Sequence, residues 1–186
     1  MKKLIYLLAL ITIFSSCRPD QNEWIVATIK QGEHTSNLDS PNIPASQNTC
    51  IQMLFDESNR TDTTMNHINK VYGVSDGWNH KIHSVRIGYR YMADRGDIAI
   101  YAFSHINRNM TTNSSNILGY VSINEVSDCA CYSITNDEYI YTYGKNTVIH
   151  DREKSGTILM YTLKPYFGGN PTAPHDMTVR YREVKL

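Results

Sequence analysis

The chain has 186 residues, with 18 Lys and Arg against 18 Asp and Glu, so its formal net charge at pH 7 is zero. That balance excludes nucleic-acid binding driven by phosphate neutralisation, which needs a basic surface, and gives no general attraction to anionic lipid heads. The length suits one domain with a core of its own; 13 tyrosines against four Phe and two Trp point to half-buried sheet faces and binding surfaces, where a ring carrying a hydroxyl is useful.

The amino terminus comes first. Met1-Lys2-Lys3 precedes an apolar run over residues 4–14, followed by Ser15-Ser16-Cys17. Lysines, an apolar stretch and small residues have the layout of a secretory signal peptide over residues 1–16. The run is too short to span a membrane, which takes about 20 residues of helix. Small residues directly before a cysteine resemble a bacterial lipobox, although Phe14-Ser15-Ser16-Cys17 has Phe where Leu is common and Ser where Gly or Ala is common. The resemblance implies a thiol that receives diacylglycerol, and palmitate on the cysteine that cleavage leaves first. On this reading Cys17 is the membrane anchor, residues 17–23 are a polar tether, and residues 24–186 are the folded body. The expected location is the cell envelope, at the outer membrane. Loss of Lys2 and Lys3 leaves 16 basic residues against 18 acidic ones.

After the tether, short runs rich in Val, Ile, Tyr and Thr alternate with Asn, Gly, Asp and Ser, the pattern of an all-β sandwich or barrel. Strands are expected at 24–30 and 49–55, with a Pro-containing loop between them. Residues 57–73 carry Met65, Ile68 and Tyr72 at helical spacing, which suggests a short helix over one end of a sheet. Residues 83–92 and 98–106 form a hairpin about Ala93-Asp94-Arg95-Gly96-Asp97. In the first of these strands Val85, Ile87 and Tyr89 share one face and Arg86 and Arg90 the other. The Arg95-Gly96-Asp97 tripeptide is explained by turn chemistry. A polar tip at 107–116 leads to strands at 117–124, 129–135, 138–144, 147–150, 157–163 and 177–184, about ten in all. Tyr139, Tyr141 and Tyr143 fall on one face. Residues 164–176, with three prolines and a Gly-Gly pair, read as a shaped loop. The fold expected is an antiparallel two-sheet β-sandwich, jelly-roll-like.

With Cys17 lipidated, Cys50, Cys129 and Cys131 remain. Oxidising conditions outside the cytoplasm permit one disulfide. Cys129 and Cys131 would point the same way in a strand and bridge poorly, so Cys50 is expected to pair with one of them, and three free thiols is the alternative.

The segments Ser84-Val85-Arg86-Ile87-Gly88-Tyr89-Arg90, Ile98-Ala99-Ile100-Tyr101-Ala102-Phe103, Pro165-Tyr166-Phe167-Gly168-Gly169 and Ala173-Pro174-His175-Asp176 resemble a family of Bacteroidetes-type lipoproteins. The resemblance spans residues 78–180. It implies a concanavalin-like β-sandwich on a lipid anchor, in a setting where glycan-handling proteins are displayed, and it transfers no activity.

Arginine forks and aromatic rings are what a sugar-binding groove requires, so Arg86, Arg90, Tyr101, His105, Arg180 and Arg182 are the ligand-binding candidates. Their alternative is a solvated face of paired charges. A polysaccharide lyase would need a neutralising Arg, a His base and a Tyr acid, roles that Arg86, His105 and Tyr166 match in type, but the signature motifs of alginate-type lyases are missing. His67, Asp76, Trp78, His80, His83 and His105 hold the densest set of potential metal ligands; His80 and His83 would diverge in a strand, and neither a metal nor a cofactor is expected. The favoured role is binding or accessory, with a glycan as candidate ligand. A glycan-active enzyme and a structural envelope subunit bound to a protein partner are the alternatives.

Overall fold

A computed structural model describes residues 23–38, 45–61, 67–111, 113–153 and 160–184. The expected signal peptide, Cys17 and most of the expected tether lie outside the described residues. Among the described residues twelve strands form two sheets in which every pairing is antiparallel. The strands are β1 (Ile25–Ile29), β2 (Asn48–Phe55), β3 (Asn69–Asp76), β4 (Ser84–Met92), β5 (Asp97–Ile106), β6 (Asn109–Met110), β7 (Ile117–Ser122), β8 (Ala130–Ile134), β9 (Glu138–Tyr143), β10 (Asn146–Asp151), β11 (Met160–Leu163) and β12 (Met177–Val184). One sheet has the order β1-β12-β2-β8-β9-β10. The other runs β11-β3-β4-β5-β6, with β7 also paired to β5. The chain changes sheet after β2, β7, β10 and β11, so the two layers are stitched by segments far apart in sequence. This is the expected all-β sandwich.

One expectation fails. The described residues of 57–73 show no α-helix: Glu57–Asn59 is a single 3₁₀ turn and Asn69–Asp76 is strand β3, while Met65 lies outside the described residues. The pairing of β3 with β4 slips between Lys70 and Tyr72. A bulge there breaks the period of two, so Ile68 and Tyr72, four apart in sequence, stand on opposite faces of the sheet.

The core lies between the sheets and collects alternate residues of the longer strands, among them Met53, Phe55, Val85, Ile87, Tyr89, Ile98, Ile100, Val179 and Tyr181. Tyr139, Tyr141 and Tyr143 all point inward from β9 and reach the facing sheet. Their hydroxyls bond Asp76 Oδ2 at 2.7 Å, the Phe103 carbonyl at 2.7 Å and the Tyr120 carbonyl at 3.3 Å. A phenol is long enough to fill the gap and satisfy a polar group on its far side, which is the use this chain makes of its tyrosines. Burial pushes all three hydroxyls up, Tyr143 to about 12. Cys50 and Cys131, direct neighbours across β2 and β8, are joined by a disulfide with Cα atoms 4.0 Å apart. That pairing is one of those expected.

Candidate functional site

The outer face of the β3-β4-β5 sheet carries the chemistry. Lys70 and Gly73 of β3, Arg86 and Gly88 of β4, and Tyr101, Phe103 and His105 of β5 lie there, back to back with the core residues that alternate with them. Ile68, Ala99, Tyr101 and Phe103 form a small apolar cluster of their own on this face. Part of the face is roofed by the loop after β11. Tyr166 pairs with Lys70 through two backbone hydrogen bonds of 2.9 and 3.0 Å, a little beyond the Leu163–Gly73 pair. Pro165 lacks the N–H to continue the ladder, and the neighbouring Lys164 carbonyl is engaged by Arg86 instead.

Glycine makes the room. A Cβ on Gly73 would stand 2.1 Å from the Val85 carbonyl oxygen and 2.7 Å from Arg86 Cγ, so the arginine side chain lies across the space that this residue leaves. Arg86 is 4% exposed. Its Nη2 donates to the Lys164 carbonyl at 2.6 Å, while its Nε is buried with no hydrogen-bond partner. Burial lowers its guanidinium pKa to about 10.

Lys70 is equally enclosed. It is 7% exposed, and its ammonium sits 4.4 Å from the centre of the Phe103 ring and 5.9 Å from that of Tyr166. Burial first, and the Arg86 charge second, push its pKa down to about 7. His105 falls to about 4, through burial and then the charges of Lys70, Arg86, His80 and Lys81. His80 is lowered by burial and by Arg86 and Lys81, and His67 by burial and by Lys70 and Arg90. Among the described residues no Asp or Glu forms an ion pair with Lys70 or Arg86. Carboxylates elsewhere are engaged: Asp76 by Arg152, Asp56 by Arg180, Asp176 by Lys30.

Beside Arg86 a cleft of about 350 Å³ is lined by Thr35, Leu38, His80, Arg86, Tyr161 and Tyr166, among others. Tyr166 is held by stacking on His34, ring centres 5.3 Å apart and planes within 9°. The Tyr161 hydroxyl lies 3.2 Å from His80 Nδ1 and 3.5 Å from the Trp78 carbonyl. Trp78, on the β3–β4 loop next to this wall, is 72% exposed.

The carbohydrate binding module CBM66 from Bacillus subtilis is similar to this chain among solved structures, with a TM-score of 0.38 and 8% identity over 91% of this chain and 98% of that one. No family model and no curated protein sequence matches the chain.

The six arginine and aromatic candidates do not form one groove. Arg86, Arg90, Tyr101 and His105 share the outer face just described, with Arg90 5.6 Å over the Tyr101 ring. Arg180 and Arg182 lie on β12, in the opposite sheet. Arg180 contacts Asp56 at 3.3 Å; Arg182 donates twice to Gln52 Oε1, at 2.7 and 3.0 Å, and lies 4.8 Å over Trp24. Strand alternation tells which residues share a face of a strand, but not which of two sheets that strand joins.

Arg86, His105 and Tyr166 do meet on one face, as a lyase would require. His105 is a poor base, however: an imidazole with a pKa of about 4, its Nδ1 3.0 Å from Ser84 Oγ, has little proton affinity to offer at neutral pH. Asp76 turns inward to Arg152 and Tyr139, away from the histidines. Among the described residues no three His, Cys, Asp or Glu converge as metal ligands. A Ser104–His150–Asn116 series, with contacts of 2.9 Å on both ring nitrogens, looks like a nucleophile array. Ser104 is fully buried and also bonded to the Tyr141 hydroxyl at 2.6 Å, so the series is part of the core's polar network. Sequence reasoning misses Lys70 and Tyr161. The first is hidden by the helical spacing within 57–73, and the second gives no signal beyond being one tyrosine among many.

Proposed function

We propose that this chain is an exported, lipid-anchored protein of the cell envelope that binds a glycan at the cleft beside Arg86 and Tyr166, in a binding or accessory role. The observation that carries the reading is a cleft lined by Tyr161, Tyr166, His80 and Arg86, with Trp78, 72% exposed, on the adjoining loop, where its carbonyl lies 3.5 Å from the Tyr161 hydroxyl. An exposed indole offers a flat apolar face with a polar N–H, the kind of surface a ligand ring can stack on. A sugar ring has an apolar C–H face to stack on Trp78 and hydroxyls for the polar wall.

The anchor rests on Lys2 and Lys3, the apolar run over 4–14 and Ser15-Ser16-Cys17. The resemblance of residues 78–180 to Bacteroidetes-type lipoproteins supports the same setting, at the outer membrane. Cys17→Ser is expected to abolish labelling by radioactive palmitate and to release the chain from membranes. Unchanged labelling would refute the anchor.

Glycan binding is tested by affinity gel electrophoresis of the full chain, extracted in detergent, through gels containing a panel of neutral and acidic polysaccharides. Retardation in at least one gel is expected, with affinity falling about tenfold, or roughly 1.4 kcal/mol, on Trp78→Ala. Free migration through every gel would sink the reading.

A further inference from the structure

We infer that the glycan is acidic, and that Arg86 and Lys70 form the subsite for its carboxylate or sulfate group; this rests on the glycan-binding reading above. A buried cation is strongly unfavourable unless an anion or a set of hydrogen bonds compensates it. Arg152, the partly buried arginine that faces Asp76, is compensated by two bonds of 2.7 and 2.9 Å. Arg86 and Lys70 are treated differently. Arg86 is 4% exposed, lines the cleft, and keeps a buried Nε–H unanswered. Lys70, 7% exposed, has ring faces around its ammonium where a carboxylate would be expected.

The charge is local. The whole chain is neutral, so two buried cations on one sheet face, with no ion-pair partner among the described residues, are not a by-product of a basic surface. Glycines are spent on keeping them there. Gly73 lets Arg86 lie flat against β3, and a Cβ on Gly168 would fall 2.6 Å from Lys70 Nζ and 1.9 Å from the Ile68 carbonyl oxygen. An anion entering the cleft would complete the guanidinium's hydrogen bonding directly, and would reach Lys70, which shares the sheet face without lining the cleft, through its charge. His80 and Tyr161, bonded to each other on the cleft wall, supply neutral groups for sugar hydroxyls.

The test compares retardation of the full chain by polygalacturonate, by its fully methyl-esterified neutral form, by dextran sulfate and by plain dextran. Binding at least about tenfold tighter to one acidic polymer than to its neutral counterpart is expected. Which acidic polymer wins assigns the group as carboxylate or sulfate. Arg86→Gln is expected to remove that preference. Lys70→Met, which deletes a buried charge and so keeps the fold, is expected to reduce it by a similar factor. Arg180→Gln, in the opposite sheet, is expected to leave it intact. Equal retardation by charged and neutral polymers overturns the acidic assignment and leaves glycan binding standing. No retardation by any polymer overturns both. An acidic preference that survives Arg86→Gln and Lys70→Met, or that Arg180→Gln removes equally, overturns the subsite.

Discussion

Lys70→Met should make the protein more stable while impairing its ligand binding. The substitution removes the ammonium and keeps an unbranched apolar stem against Phe103 and Tyr166. In the folded chain the Lys70 ammonium has a pKa of about 7 in place of 10.5, a gap that corresponds to about 5 kcal/mol in favour of the neutral amine. Because the folded value is the lower one, the unfolded chain holds a proton between about pH 7 and 10.5 that the folded chain has released. Stability therefore rises with pH through that window, and below it the folded state bears the whole penalty. Between about pH 6 and pH 9.5 this residue alone should add about 3 kcal/mol to wild-type stability, and nothing to that of the variant. The lost cation–π contact offsets about 1 kcal/mol of the gain at the acidic end. Urea unfolding of both proteins at those two pH values measures the difference of differences, in which all other titrations cancel. Parallel pH profiles, or a variant less stable than wild type at the lower pH, would refute the reasoning that Lys70 is buried without compensation.

Three further outcomes are expected. The Cys50–Cys131 bond spans 81 residues, so replacing both by Ser should lower the urea-derived stability by about 4 kcal/mol through restored chain entropy; a loss below about 1 kcal/mol would argue against that account. Gly73→Ala forces a methyl to within 2.1 Å of the Val85 carbonyl oxygen, and thermal unfolding should register a loss of about 3 kcal/mol with the Arg86 cleft distorted. Asp76→Asn leaves Arg152 without its charged partner and weakens the Tyr139 bond, for an expected loss of about 3 kcal/mol in the same assay.

Several parts of this protein are legible in the order of its residues. The β4–β5 hairpin is one, because Val85, Ile87 and Tyr89 alternate with Arg86 and Arg90, and because a turn with Gly96 at φ 72° separates two such runs. The shared inward face of Tyr139, Tyr141 and Tyr143 on β9 is another, and so is the pairing of Cys50 with a cysteine of the 129–131 pair, which follows from the spacing of the three thiols. Each of these depends on local periodicity or on simple reach. β3 escapes because its bulge shifts the phase of alternation between Lys70 and Tyr72.

By itself, the order of residues determined an all-β fold and the face on which each side chain of a regular strand would stand. Only the tertiary structure decided that Arg86 shares its surface with Lys70 rather than with Arg180 and Arg182. Sheet membership is set by pairings between distant segments, such as Arg182 of β12 with Gln52 of β2, 130 residues apart. Only the fold, too, could bury two cations with no ion-pair partner among the described residues. Charge counted along the chain sums to zero, while the electrostatic energy of a group depends on what surrounds it in space.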